Sequence, residues 1–345
     1  MSTIRQEGID IKAVGTPEPP AAEPGLANPI ATVARTLASR YAVVGVWIAL
    51  IVVYTAAEPG VFLTGPTFQA IFGSQQALVF LAMALLCTIA VGEFVDLSVP
   101  AVFGFAATIL PVLTVNHGWG VWPSALVAVL GAVLVGAVNG FLVVVMGVNT
   151  IVVTLGMSTL LAGISLWISD MNTISGLPGS FGKIALTDVA GLPVSFYYGV
   201  VLVLGFAYVL GCTPLGRHMR FVGANREVSR LSGIRVNRIR FGSFVAAGAF
   251  SGIGAVIDVA ALGGFNATTS SSLLLPVFAS VFLGTAVVEP GRFNPIGTFV
   301  GIYFLATGIL GLQLLGLQDW VSSVFYGGVL VAAVTVATVL RRRVG

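Results

Sequence analysis

The chain has 345 residues, of which 57% are hydrophobic and 8% charged, with a mean hydropathy of +1.02. Soluble domains carry about 25% charged residues, so the composition excludes a soluble enzyme and defines a polytopic membrane protein. The net charge of +3 is small and its arginines abut apolar runs, which argues against a nucleic-acid partner.

Residues 1–40 hold Pro17, Pro19, Pro20, Pro24 and Pro29 among scattered charges. They read as a disordered cytosolic N-terminal tail, and with no apolar core ahead of Tyr41 no cleaved signal peptide is expected. Residues 41–345 read as one all-α transmembrane domain. A bilayer core of about 30 Å needs about 20 apolar residues per helix. On that basis the chain predicts about ten spans, at 41–57, 68–92, 97–115, 123–146, 150–169, 195–212, 241–262, 273–288, 294–315 and 318–340. The second is interrupted by Gly73, Ser74, Gln75 and Gln76, and the eighth is short.

Between the second and third spans, VGEFVDLSVP breaks the apolar run with Glu93 and Asp96. Asp96 or Ser98 can cap the following helix, and Pro100 suits its first turn. If the break lies within the membrane, the same groups line a polar cavity instead. Asp258, near the outer end of the seventh span, is a further intramembrane acid of the kind that marks an ion or solute path. Gly136 and Gly140, Gly248 and Gly252, and Gly297 and Gly301 have the spacing that lets helices approach closely. The stretch 170–194 is the long outward connection, either a solvated connector or a docking surface.

Residues 213–240 form a basic island: seven of the chain's arginines, Arg217, Arg220, Arg226, Arg230, Arg235, Arg238 and Arg240, against one acid, Glu227. One arginine at the bilayer centre costs about 3 kcal/mol, so seven would cost on the order of 20 kcal/mol, and the island belongs in solvent. Alternating spans collect the tail, the island, Arg292 and Arg341, Arg342 and Arg343 on one side, with Lys183 alone opposite. Positive-inside topology makes that side cytosolic, with both termini there. Within the island, NREVSRLSGI predicts a short amphipathic helix N-capped by Asn225 and ended by Gly233, with Val228, Leu231 and Ile234 toward one face. It can dock a partner or lie against the membrane as an anchor.

No phosphate-binding loop is present, since Lys12 and Lys183 lack the required glycines and following hydroxyl, and no catalytic motif emerges. Cys87, Cys212, His117 and His218 give neither a disulfide framework nor a metal site.

The island resembles the cytosolic coupling segment of the ribose-type branch of ABC importer permeases, through Gly216, Arg217, Gly223, Asn225, Ser232, Gly233 and Ile234. Two more blocks agree in order: Asp96–Val99, and VNGFLVVVMGVNTIVVTLGMSTLLAG with Asn139, Gly140, Thr154, Leu155, Gly156 and Gly163. The likeness runs over residues 41–340. It implies a type II ABC importer-like fold that imports a monosaccharide or related small polyol across the bacterial inner membrane. Its implied partners are a second permease copy in a homodimer, ATP-binding cassette subunits that hold ATP and Mg²⁺, and a periplasmic or lipid-tethered sugar-binding protein. The chain itself is then no enzyme and binds no cofactor or metal; membrane lipid surrounds it. Gly216, Arg217, Gly223, Asn225, Glu227, Ser232 and Gly233 are expected to couple it to the cassette. Polar positions at helix breaks, Asp96, Ser98, Asn149, Thr150 and Thr154, are expected along the substrate path. The chain departs from the family pattern at Glu93 and Phe94, where a glycine pair is usual, at Pro100, at Leu273–Leu275, and at Glu289–Gly291. The rival reading is a proton- or sodium-coupled secondary transporter that uses Asp96, Glu93 or Asp258.

Overall fold

The computed structural model describes residues 29–93 and 95–344, with side chains over 43–93 and 95–335. Most of the expected tail therefore lies outside the described residues. Residues 39–344 form one compact unit, apart from Phe94, which lies outside the described residues.

In chain order the helices begin with α1 (Pro29–Ala57), which opens ahead of the expected Tyr41, then α2 (Gly65–Gly73), α3 (Gln76–Ile89), α4 (Val99–Pro111), α5 (Val121–Gly140) and α6 (Thr150–Ile168). The 170–194 connection holds β1 (Ile174–Ser175), α7 (Gly179–Leu186), β2 (Asp188–Val189) and β3 (Leu192–Pro193). It leads to α8 (Val194–Cys212), α9 (Pro214–Ala224), α10 (Arg226–Leu231) and α11 (Val236–Leu262). The chain finishes with β4 (Gly264–Phe265), a 3₁₀ segment (Ala267–Leu273), α12 (Leu274–Gly284), α13 (Pro295–Leu314) and α14 (Trp320–Val344). Among the described residues, eight helical stretches are long and apolar enough to cross a bilayer, and Val43–Ala57 and Trp320–Thr335 are shorter apolar helices. These occupy the ten expected positions.

The second span is broken where its polar residues fall: α2 ends at Gly73, and α3 starts at Gln76. The eighth is extended by the 3₁₀ segment, in which Thr269, Ser270, Ser271 and Ser272 each donate a hydroxyl to the carbonyl three residues back. The expected span begins only at 273, after these polar residues, whose local bonds shape the added turns.

α3 is apolar on every side, and all of its residues are buried, as expected for a helix at a bundle's centre. α11 packs against α3, α4 and α5. The α5–α11 crossing depends on missing side chains: a β-carbon on Gly136 would strike the Phe244 carbonyl, and one on Gly248 the Ala132 carbonyl. Gly297 and Gly301 bring α13 equally close to Gly284 and Ser280 of α12. All three glycine pairs noted in the sequence thus sit at helix contacts.

The 170–194 connection is folded. β1 pairs with β4, Ile174 opposite Phe265, and β2 with β3 in a short hairpin. α7 buries Phe181 and Ala185 and packs on α11. At the other end of the bundle lie the α3–α4 connector, α9, α10 and the loop between α12 and α13, where a cleft of about 540 Å³ is bounded by Ala90, Gly223, Arg217, Arg220, Glu289 and Arg292.

Candidate functional site

The basic island folds as α9, α10 and the first turn of α11, where the sequence predicts one short helix. Thr213 caps α9 by accepting from the Gly216 amide at 3.2 Å, with Pro214 in the first turn, where no amide donor is needed. Gly216 lies so close to the last turn of α8 that a β-carbon would overlap the Val209 carbonyl. At its other end α9 meets the α3–α4 connector: a β-carbon on Gly223 would lie 2.5 Å from the Ala90 carbonyl oxygen. Gly92, at φ +82°, faces Gly223 from the connector.

Asn225 separates the two helices and caps α10, accepting from the amides of Glu227 at 3.0 Å and Val228 at 3.1 Å. Gly233, at φ +79°, takes the left-handed turn that ends α10, and Ser232 donates its hydroxyl to the Val228 carbonyl. The expected helix is therefore present, but its inward residue is Ser229, while Val228 is 56% and Leu231 85% exposed. Ile234 packs against the core instead. Glu227 is exposed and lies 4.0 Å from Arg230, a surface pair of small energetic value. Arg217 lines the cleft with Arg220 and Arg292.

Behind α10 sits a buried carboxylate. Glu93 is 4% exposed, and its Oε1 accepts from Arg226 Nη2 at 2.7 Å, Arg240 Nε at 2.7 Å and Arg240 Nη2 at 2.6 Å. Its Oε2 accepts from the Thr150 hydroxyl at 2.6 Å. Arg226 also donates to the Gly92 carbonyl at 3.1 Å. One side chain of the connector thus joins α10, the first turn of α6 and the first turns of α11. Losing both arginines would leave the buried Glu93 charge uncompensated, at about 3–5 kcal/mol, whereas losing one leaves the other in place.

The expected path residues gather beside it. Asp96 accepts from the Ser98 amide at 3.0 Å and the Ser98 hydroxyl at 2.6 Å, and Ser98 accepts from Asn139 Nδ2 of α5 at 2.9 Å. Ser98 therefore occupies the cap position of α4 without capping it, because its hydroxyl is turned to Asp96. Thr154 donates to the Thr150 carbonyl at 2.9 Å and accepts from the Leu97 amide at 3.2 Å. Asn149 stands apart, exposed, as the cap of α6 through the Ile151 amide at 2.9 Å. Burial pushes the Asp96 carboxyl above its ordinary 3.8, the Ser98 hydrogen bonds oppose this, and the charge of Glu93 adds to the rise. At the far end of the bundle, Asp258 accepts from Gln76 Nε2 at 3.3 Å. Among the described residues no group of His, Cys, Asp and Glu is placed to hold a metal.

The sequence reading missed Arg226 and Arg240 as partners of Glu93. The available signal was topological: even-numbered crossings put the 93–98 connector and the island on one side, where the connector's two acids, Glu93 and Asp96, meet surplus arginines.

A helical bundle with a broken second span, a bonded polar connector and exposed helices at one end is the architecture of a membrane-spanning permease. The chain belongs to the family described as "Branched-chain amino acid transport system / permease component", which matches residues 67–334. The autoinducer 2 import system permease protein LsrC of Photorhabdus laumondii is 29% identical over 266 residues, covering 77% of this chain and 79% of that protein. The LsrD proteins of Escherichia coli K12 and Klebsiella pneumoniae are 31% and 28% identical over 246 residues, covering 70% of this chain and 74% of each relative.

Proposed function

We propose that the chain is the permease subunit of an ABC importer that carries a monosaccharide or related small polyol across the bacterial inner membrane. Both termini and the α9–α10 segment face the cytosol. The single observation that carries this is α10 itself: a capped helix outside the spans that presents Leu231 and Val228 outward, with its arginine anchored inward on the connector. An exposed apolar pair on a polar helix suits a groove on a partner. We assign that groove to an ATP-binding cassette subunit holding ATP and Mg²⁺, with Gly216, Arg217, Gly223, Asn225, Glu227, Ser232 and Gly233 shaping the docking segment. A second permease copy and a sugar-binding protein outside the membrane complete the importer.

The relatives are autoinducer 2 import permeases, whereas the family description names branched-chain amino acids. The polar groups at the connector, Asp96, Ser98, Thr150 and Thr154, together with Asn149, are neutral hydroxyl and amide groups with one carboxyl, a set better suited to brief contacts with a hydroxylated solute. They stand at the inner end of the proposed path. The test is reconstitution with the cassette and binding protein, followed by uptake of labelled pentoses, hexoses and polyols, with leucine as counter-probe. ATP-dependent sugar uptake that is lost with Asn225→Ala, together with cassette co-purification, is expected. Leucine uptake without sugar uptake would overturn the substrate class, and normal co-purification of Asn225→Ala the docking role.

A further inference from the structure

Docking at α10 moves solute only if motion there reaches the spans. We infer that Glu93 is the positioning residue that carries it, a buried latch tying the exposed coupling helix to the α3–α4 connector, α6 and α11. This rests on the reading that α9 and α10 dock the cassette.

Arg226 is the one residue of α10 whose side chain spans the distance: it is 44% exposed, yet its guanidinium reaches a carboxylate that is 4% exposed. The two oxygens of Glu93 are divided between elements. Oε1 takes Arg226 from α10 and Arg240 from α11, and Oε2 takes Thr150 from α6. These contacts of 2.6–2.7 Å are charge-assisted on the arginine side, and such bonds are short and directional. Pulling Arg226 away would break a short charge-assisted hydrogen bond to a buried carboxylate oxygen and leave Arg240 as its remaining arginine partner, so the connector follows α10. A second contact works in compression. Gly223 at the end of α9 abuts Ala90 and Gly92 backbone to backbone, with no flexible side chain between them to absorb a push. The connector is in turn tied to α5 through Ser98 and Asn139, and to α6 through Leu97 and Thr154. A rigid-body displacement of α10 therefore has a continuous hydrogen-bonded route to the inner ends of α5, α6 and α11.

The experiment is hydrogen–deuterium exchange on the assembled permease–cassette complex, with and without Mg²⁺-ATP and a hydrolysis-deficient cassette. In wild type, exchange is expected to change at 226–232 and, together with it, at 95–98 and 150–154. Arg226→Gln leaves Arg240 on Glu93, so the buried carboxylate keeps a cation and the fold is retained. In that variant the response at 226–232 is expected to persist while the response at 95–98 and 150–154 falls by more than half, and Arg226→Lys is expected to restore it. A purely structural role would leave the two responses coupled. An undiminished connector response in Arg226→Gln overturns the latch, as does a wild-type complex in which α10 responds and the connector does not. A wild-type complex in which α10 itself is indifferent to cassette and nucleotide overturns the docking reading, and the latch with it.

Discussion

Gly92 and Gly223 meet backbone to backbone, from the connector after α3 and from the last turn of α9, with the α-carbon of Gly223 3.3 Å from where a β-carbon on Gly92 would lie. The two remaining glycines of the segment differ in kind. Gly216 is excluded from bearing a β-carbon by α8, whereas Gly233 faces open space and is needed only for its left-handed backbone. Gly223→Ala is therefore expected to force a backbone shift costing about 1–3 kcal/mol, read as a lower melting temperature of the purified permease and reduced cassette retention. Gly233→Ala should cost about 1–2 kcal/mol through strain alone, and Gly233→Asn less, since asparagine tolerates that conformation. Equal melting of Gly223→Ala and wild type would show that the close approach does not form.

Leu231 separates docking from simple anchorage. It is 85% exposed, so Leu231→Asp should change stability by no more than about 0.5 kcal/mol. If α10 inserts into a groove, the buried charge breaks the complex. Co-purification of the cassette is expected to fall sharply while expression and melting stay at wild-type levels. Full retention of the cassette would point to a helix lying on the membrane surface.

Asp96 gives a pH signature. Its carboxyl is raised by burial, so the folded chain holds the proton more tightly than the unfolded chain does. Its contribution to stability is complete below the unfolded value of 3.8, and is lost as pH rises through the higher folded value. Asp96→Asn keeps an acceptor for the Ser98 amide and removes the buried charge. The variant is expected to match or exceed wild-type stability at neutral pH, and its advantage is expected to shrink on acidification. Thermal unfolding of both proteins across that range decides it, and an advantage that grows as pH falls would contradict the assignment.

The spans were legible because lipid demands long apolar runs, and the breaks because polar residues interrupt them, as at Ser74 and Gln75. Asn225 and Gly233 were legible as helix punctuation, since capping and a left-handed turn are local needs. What stayed hidden was non-local. Topology puts Glu93 on the island's side, but the order of residues does not say which of seven arginines it meets, more than a hundred positions away. α9 was missed because its arginines masked a buried face of Gly216, Met219 and Val222. α7 was missed because glycine and proline around it read as loop, while Phe181 and Ala185 find their partner only once α11 is in place.

Asp258 decides between energy sources. It lies in α11 with Gln76 donating to its Oδ1 at 3.3 Å, and it is the acid a secondary transporter would be expected to titrate. Asparagine at this position keeps an oxygen to accept the same hydrogen bond and a similar volume, while it loses the ability to exchange a proton at transport pH. For a cassette-driven importer, Asp258→Asn should therefore retain most of the wild-type uptake in cells. Uptake by both proteins should fail on depletion of ATP and survive a protonophore for as long as ATP is maintained. A coupling carboxylate gives the opposite pattern: uptake collapses in Asp258→Asn, and wild-type uptake collapses with the protonophore at constant ATP. The bond to Gln76 makes the comparison clean, because a variant that preserves the contact and removes only the charge tests the titration and not the packing.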